Sequence, residues 1–252
     1  MLLKYTQLFP LCFAVFVSML GFGLVMPLLP MYARTFGATG TQLGFLTASF
    51  ALTRVVSTLP GGWLSDKMGR KKPIAAGLLM YSVVMALYGF SQDVNQLIIL
   101  RSLQGVASGI VWPVIITMVV DITSAGDRAK ALGLYETMHF LGMIVGPSLG
   151  GVLADAFNIS VPFFVCGGLA FITTVLVAFT VRETAAHVSS VNVPQADFDF
   201  PAKPASKPQR SSFQGIRQLT PFPRIFCGIC VARFIIAFSN SLIQPVLSVY
   251  AN

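Results

Sequence analysis

Apolar runs of about 20 residues recur along this chain, and nothing else in it limits the possible folds so strongly. A helix rising about 1.5 Å per residue needs that length to cross the roughly 30 Å hydrocarbon core of a bilayer. Only 10% of the 252 residues are charged, against about 25% in an average water-soluble domain. In lipid each span must satisfy its own backbone hydrogen bonds, which selects helices, and the period-2 alternation of barrel strands is missing. The fold class is therefore all-α integral membrane. Spans are predicted at about 7 to 33, 42 to 63, 74 to 92, 95 to 119, 130 to 155 and 161 to 181, with a seventh at about 224 to 250. The first is too long, and too poor in small residues at a cleavage point, to be a cleaved signal peptide, so it is expected to be retained.

The sixth and seventh spans are separated by a stretch rich in Pro, Ser, Ala and charge. Such a composition cannot bury enough apolar surface to order itself, so a linker is expected there. The predicted organisation is a six-helix bundle over 1–181, a cytoplasmic linker over 182–223, and helix 7 over 224–252. Basic residues set the orientation. Thirteen of the seventeen Lys and Arg fall on one side, only Arg34 on the other, and Arg54, Arg101 and Arg233 within spans. The positive-inside rule places the crowded side, and the N-terminus with it, in the cytoplasm. Topology thus accounts for the net charge of +8 without a nucleic-acid partner. A weak repeat links "MPLLPMYA" at Met26 to Ala33 with "QPVLSVYA" at Gln244 to Ala251. Helix 7 is therefore expected to open a second, incomplete copy of the first bundle. Cys227 and Cys230 form a CxxC, but no second pair or nearby histidine completes a zinc set, so packing is the expected role and no metal or cofactor is predicted.

Three motifs carry chemistry. The turn after the second span reads "GGWLSDKMGRKKP", and Gly62, Asp66, Gly69, Arg70 and Lys71 fit G-x-L-[AS]-D-[RK]-x-G-R-[KR]. This resembles the loop between helices 2 and 3 in the major facilitator superfamily. Gly62 is expected to allow close helix approach, Asp66 to close helix 2, and Arg70 or Lys71 to bridge to an acid such as Asp121 on helix 4. In that family such a cluster can latch the cytoplasmic side and break when the halves rock; a plain positive-inside anchor is the other reading. "RSLQGVASG", Arg101 to Gly109, resembles the motif in which a buried arginine is implicated in proton transfer. Arginine inside a span costs about 3 kcal/mol on insertion scales and needs a partner. Bonding to backbone carbonyls or to Gln104 would be a purely structural use. "GMIVGPSLGG" places Gly142, Gly146, Pro147, Gly150 and Gly151 in a pattern resembling the antiporter motif of the drug and tetracycline exporters. Gly142, Gly146 and Gly150 share one small face, which could pack on a second half, and Pro147 is expected to bend the helix.

Some drug exporters carry an acid in helix 1; here Gly23 and its neighbours offer none. Among the acids only Glu136 falls clearly within a span, and Arg54 on helix 2 is its nearest cation in depth. The pair is open to two readings, salt bridge or proton relay. His139 lies three residues on from Glu136, but no facing helix supplies matching ligands for a metal. Resemblance places the substrate cavity among helices 1, 4, 5 and 7, with Phe22, Met26, Gln104, Trp112, His139, Met143, Asn240 and Gln244 as expected lining. Their apolar and aromatic character suits amphipathic organic compounds. Read as a member of this family, the chain is expected to export small organic compounds in exchange for protons from a cell membrane, by alternating access. The alternatives are transport of a metabolite such as a sugar by the same fold, or a truncated half that does not transport without a missing C-terminal half or self-association. No GxxxxGK[ST] phosphate loop is present. No nucleophile, base and oxyanion set converges either, so an enzyme is not expected.

Overall fold

The computed structural model describes residues 2–183, with side chains from Gln7 onward. Most of the predicted linker and all of helix 7, including Asn240 and Gln244, lie outside the described residues. Six helices follow one another: α1 Leu2–Thr35, α2 Gly40–Met68, α3 Lys71–Tyr88, α4 Val94–Ile122, α5 Arg128–Ala156 and α6 Val161–Thr180. Five of them are long and apolar enough to cross a membrane.

The helix ends differ from the hydropathy boundaries because backbone bonding continues past the last apolar residue until a cap stops it. Helix α2 runs on through Ser65, Asp66 and Lys67 to Met68, and stops only where Gly69 takes φ +85°, a left-handed value that glycine adopts without strain. It starts under a reciprocal cap, with Thr39 Oγ1 accepting from Gln42 N and Thr39 N donating to Gln42 Oε1 at 2.9 Å. Asp93 caps α4 by accepting from Gln96 N at 2.8 Å. Helix α3 ends at Tyr88, short of the predicted 92. There the Gly89, Phe90 and Ser91 amides turn back onto carbonyls three residues earlier, which tightens the last turn and ends it.

The packing order crosses the chain order. Helix α1 lies most extensively on α5, α2 on α4, and α3 on α6. Glycines set the first two pairs. A Cβ on Gly142 would stand 2.5 Å from the Phe16 carbonyl oxygen, and one on Gly146 only 2.8 Å from Leu24 N. On α4, Gly105 and Gly109 would meet the carbonyls of Phe50 and Arg54, each at 2.5 Å. Backbones this close exclude side chains, which is how small residues associate helices where lipid tails are as apolar as the protein. The Gly142, Gly146 and Gly150 face is therefore buried against α1 within this bundle, and the expectation that it serves a second half is corrected. Gly23 is part of the same seam. Its Cβ would lie 2.9 Å from the Met143 carbonyl, the acceptor that Pro147 cannot serve because it lacks an N–H, so an acid at this point of helix 1 has no room. Helix α5 runs unbroken through Pro147.

Buried apolar clusters occupy both ends of the bundle. One gathers Leu11, Val15, Ile115 and Met118, the other Leu24, Val84, Leu97 and Phe163. Interhelical side-chain bonds to backbone fix their register: Tyr81 Oη to Ser18 O at 2.9 Å, Ser82 Oγ to Gly167 O at 2.8 Å, and Tyr32 Oη to Ser91 O at 2.9 Å. Helices α2 and α5 are the least covered, with 22% and 17% of their most apolar window buried against 78% for α1, so these two form the open flank.

Candidate functional site

On that flank α2, α4 and α5 enclose an open cavity of about 410 Å³, lined by Arg54 and Thr58 from α2, Trp112, Pro113 and Ile116 from α4, and Tyr135, Glu136 and His139 from α5. Gly105 and Gly109 bring α2 close enough to α4 for Arg54 to reach across, and its guanidinium lies over the Trp112 ring, 4.0 Å from the centroid. Trp112 is held edge-on by Phe22 at 5.7 Å, and Phe22 in turn packs on Phe50 at 5.4 Å. His139 faces Trp112 and Tyr135, with ring centroids 6.4 and 6.3 Å away. Glu136 is exposed on this wall. The expected salt bridge does not form: no ion pair joins Glu136 to Arg54 among the described residues, although both line one cavity. The indole face takes the place of a carboxylate, because Trp112 lies on the helix that α2 packs against while Glu136 lies on the next one.

Arg101 occupies a second, enclosed site. Its guanidinium lies 4.5 Å from the Phe50 ring centroid and 5.7 Å from that of Phe22. One of its nitrogens donates to Gln104 Oε1 at 2.7 Å, and Tyr88 Oη donates to the same oxygen at 3.1 Å. Arg101 Nε and Gln104 Nε2 remain without partners among the described residues. Gln104 is fully buried in this network, and it, Phe22, Met26 and Met143 do not line the cavity. Of the expected lining residues the structure brings Trp112 and His139 to it, together with Arg54 and Glu136. Thr58, Pro113, Ile116 and Tyr135 also line it and are not among the expected residues. Their helical phase relative to Arg54, Trp112 and Glu136 was the available signal.

The charged turn is held from two sides. Arg70 pairs with Asp121 on α4 and donates to the Thr117 carbonyl at 2.7 Å. Partial burial lowers the Arg70 pKa, and neighbouring Asp66 opposes that shift. Lys71 contributes its backbone: its N–H donates to Glu183 Oε1 at 3.0 Å. Arg70 at the N-cap of α3 offers no capping side chain, so Glu183, just past the end of α6, caps α3 from across the bundle. A Cβ on Gly69 would run into that carboxylate, so the glycine serves both the left-handed turn and the cap. Asp66 is exposed in the last turn of α2 and makes no ion pair among the described residues. The expectation for Gly62 is corrected. Nothing lies within 4 Å of its added Cβ, whereas Gly61 faces α4 with Ile110 Cα at 3.0 Å. Gly151 is likewise open, unlike Gly150, which meets Leu24 and Leu28.

These features define a helical membrane bundle with a cavity of aromatic and charged side chains on one flank and a pinned charged turn at one end. The chain belongs to the Major Facilitator Superfamily, whose family model matches residues 11–252. It is 27% identical over 252 residues to quinolone resistance protein NorA of Staphylococcus aureus (strain MRSA252), covering 98% of this chain and 58% of that protein. It is 33% identical over 227 residues to multidrug resistance protein 1 of Bacillus subtilis (strain 168), covering 90% of this chain and 52% of that protein. The chain thus spans about half the length of these relatives. Its fold matches the inward-facing and occupied crystal structure of a bacterial homolog to the human lysosomal transporter Spinster, with TM-score 0.64, 17% identity, and coverage of 70% of this chain and 44% of that one.

Proposed function

We propose that this chain forms the N-terminal wall of a proton-coupled exporter of small amphipathic organic compounds that works by alternating access. The observation that carries the reading is the cavity between α2, α4 and α5, whose aromatic wall and two charged side chains, Arg54 and Glu136, suit organic molecules with a charged or polar group. The resistance names of the two relatives support export over metabolite uptake. In this reading residues 182–223 are the cytoplasmic linker, 224–252 begin a second bundle, and the N-terminus is cytoplasmic in the cell membrane. Arg70 and Asp121 latch the cytoplasmic side. Glu136, Arg101 and Arg54 are the groups assigned to coupling. Protonation of Glu136 would remove a negative charge from the cavity wall and bias the bundle toward one face.

A second reading has its own observation. Because the chain spans about half of each relative, it can be a half that moves nothing until a C-terminal half or a second copy supplies the opposite wall. Efflux of a fluorescent cationic dye from energised cells making the 252-residue chain separates the two. Efflux abolished by a protonophore and lost in Asp121→Asn, which breaks the Arg70 latch, supports a working antiporter. No efflux from a well-inserted chain, restored when a C-terminal half from a relative is co-expressed, supports the half-transporter. No efflux in either case would overturn the export reading.

A further inference from the structure

Helices α3 and α6, which do not line the cavity, pack on each other in opposite directions and share an outward face. At one end the Phe90 and Phe164 rings meet edge-on with centroids 4.9 Å apart, and at the other the Lys71 amide donates to Glu183 Oε1 at 3.0 Å. Between these ends Leu79 and Val83 of α3 and Phe171, Val175 and Phe179 of α6 are exposed, Phe179 to 87%. No charged residue occurs in α6, and α3 has none beyond Lys71 and Lys72. The 18 residues of α3 rise about 27 Å, close to the thickness of a bilayer's hydrocarbon core. The flank of α2 and α5 carries Arg54 and Glu136 instead, so hydrocarbon suits the α3 and α6 face better.

This apolar strip ends in cations. Lys72 and Arg182 are the exposed chain neighbours of the bonded pair Lys71 and Glu183, so that bond brings them to one corner, and neither makes an ion pair among the described residues. Glu183, the acid at this corner, is engaged with the Lys71 amide and seated against Gly69. A cation in the first turn of α3 also opposes the helix dipole, so the stability of α3 does not account for Lys72. We propose that this corner binds the headgroup of an anionic phospholipid, with Lys72 and Arg182 on its phosphate and its acyl chains along Phe179, Val175 and Leu79. Charge selects the lipid. Phosphatidylcholine brings a cation of its own to two uncompensated cations, whereas phosphatidylglycerol brings only a negative charge. Bound there, the lipid holds the end of α6 against the start of α3, next to the turn that Arg70 and Asp121 pin. The inference takes from the preceding reading only the membrane setting of the fold, and its experiment reads lipid binding alone.

Phe179→Trp, at a position already exposed, in a chain that also carries Trp63→Phe and Trp112→Phe, puts the sole tryptophan beside this corner. The full chain is placed in phosphatidylcholine nanodiscs containing a rising fraction of dibrominated phosphatidylglycerol or, in parallel, dibrominated phosphatidylcholine, and bromine quenching reads which lipid occupies the site. A preference for phosphatidylglycerol of at least about fivefold is expected. Lys72→Gln with Arg182→Gln should abolish it, and Lys72→Arg with Arg182→Lys should keep it. Lys130→Gln, which removes an exposed cation from α5 at the same end of the bundle, should leave it unchanged. Circular dichroism of each variant separates lost preference from lost fold. Native mass spectrometry of the unaltered chain, counting retained phosphatidylglycerol against phosphatidylcholine, checks the same preference without the tryptophan changes. Equal quenching by the two lipids, the outcome if Asp197 or Asp199 already neutralised the corner, would overturn the proposal. So would a preference that survives the double neutralisation or is lost in Lys130→Gln. A preference found in a chain that exports no dye leaves this inference standing and counts against the transport reading alone.

Discussion

Gly146 and Gly151 stand five residues apart in one motif, and the structure gives them opposite tolerance. In Gly146→Ala the new methyl would lie 2.8 Å from Leu24 N and 3.1 Å from the Gly23 carbonyl carbon. Both are main-chain atoms of α1, which no side-chain rotation can move aside. The Leu20 carbonyl oxygen stands nearer still, and ordinary contact begins at about 3.4 Å, so α5 must shift outward by roughly 1 Å at this point, and a gap of about that size forfeits up to half of each dispersion contact along the seam. With the usual cost of overpacking, about 2 kcal/mol is expected, or roughly a thirtyfold fall in the folded-to-unfolded ratio. In Gly151→Ala the methyl meets nothing within 4 Å, so the change should stay within about 0.5 kcal/mol. Equilibrium unfolding of the full chain in dodecyl maltoside with rising dodecyl sulfate, followed by far-UV circular dichroism, reads both. Equal losses in the two variants, or an unchanged Gly146→Ala, would refute the assignment of the motif to the α1 seam.

Three further outcomes are expected. A double-mutant cycle of Arg70→Gln and Asp121→Asn should give a coupling of about 1 kcal/mol, since both groups are partly solvated, and it should shrink in high salt. Glu183→Ala removes the cap of α3 and should cost about 1 kcal/mol, with hydrogen exchange at the Lys71 amide rising while that within α5 is unchanged. Gln104→Leu leaves both Arg101 and Tyr88 without their shared acceptor and should cost about 2 to 3 kcal/mol by the same unfolding assay.

Much of this architecture is legible in the sequence because lipid leaves so few options. Six apolar runs imply six helices, and the Arg101 to Gln104 bond is implied by three-residue spacing on one helix. Contacts between helices are less legible. The motif pattern points to Gly62, but helical phase turns Gly61 toward α4 and leaves Gly62 facing outward. Depth along the spans places Arg54 and Glu136 at one level, yet level alone does not say that Trp112 intervenes. Glu183 lies just past α6, and its cap on α3 depends on the end of α6 meeting the start of α3, which no local pattern encodes.

The crossed pairing of α1 with α5, α2 with α4 and α3 with α6 bears on the order in which the protein can assemble. A chain is made from its N-terminus, so α1, α2 and α3 enter the bilayer before any of their main partners exists. Each then waits in lipid with one side of its seam empty, and the last to be served is α3, whose cap at Glu183 is synthesised only after α6 is complete. The six helices therefore cannot mature as two successive triplets. They close late and together, and a chain halted after α3 would contain three inserted helices without a tertiary fold.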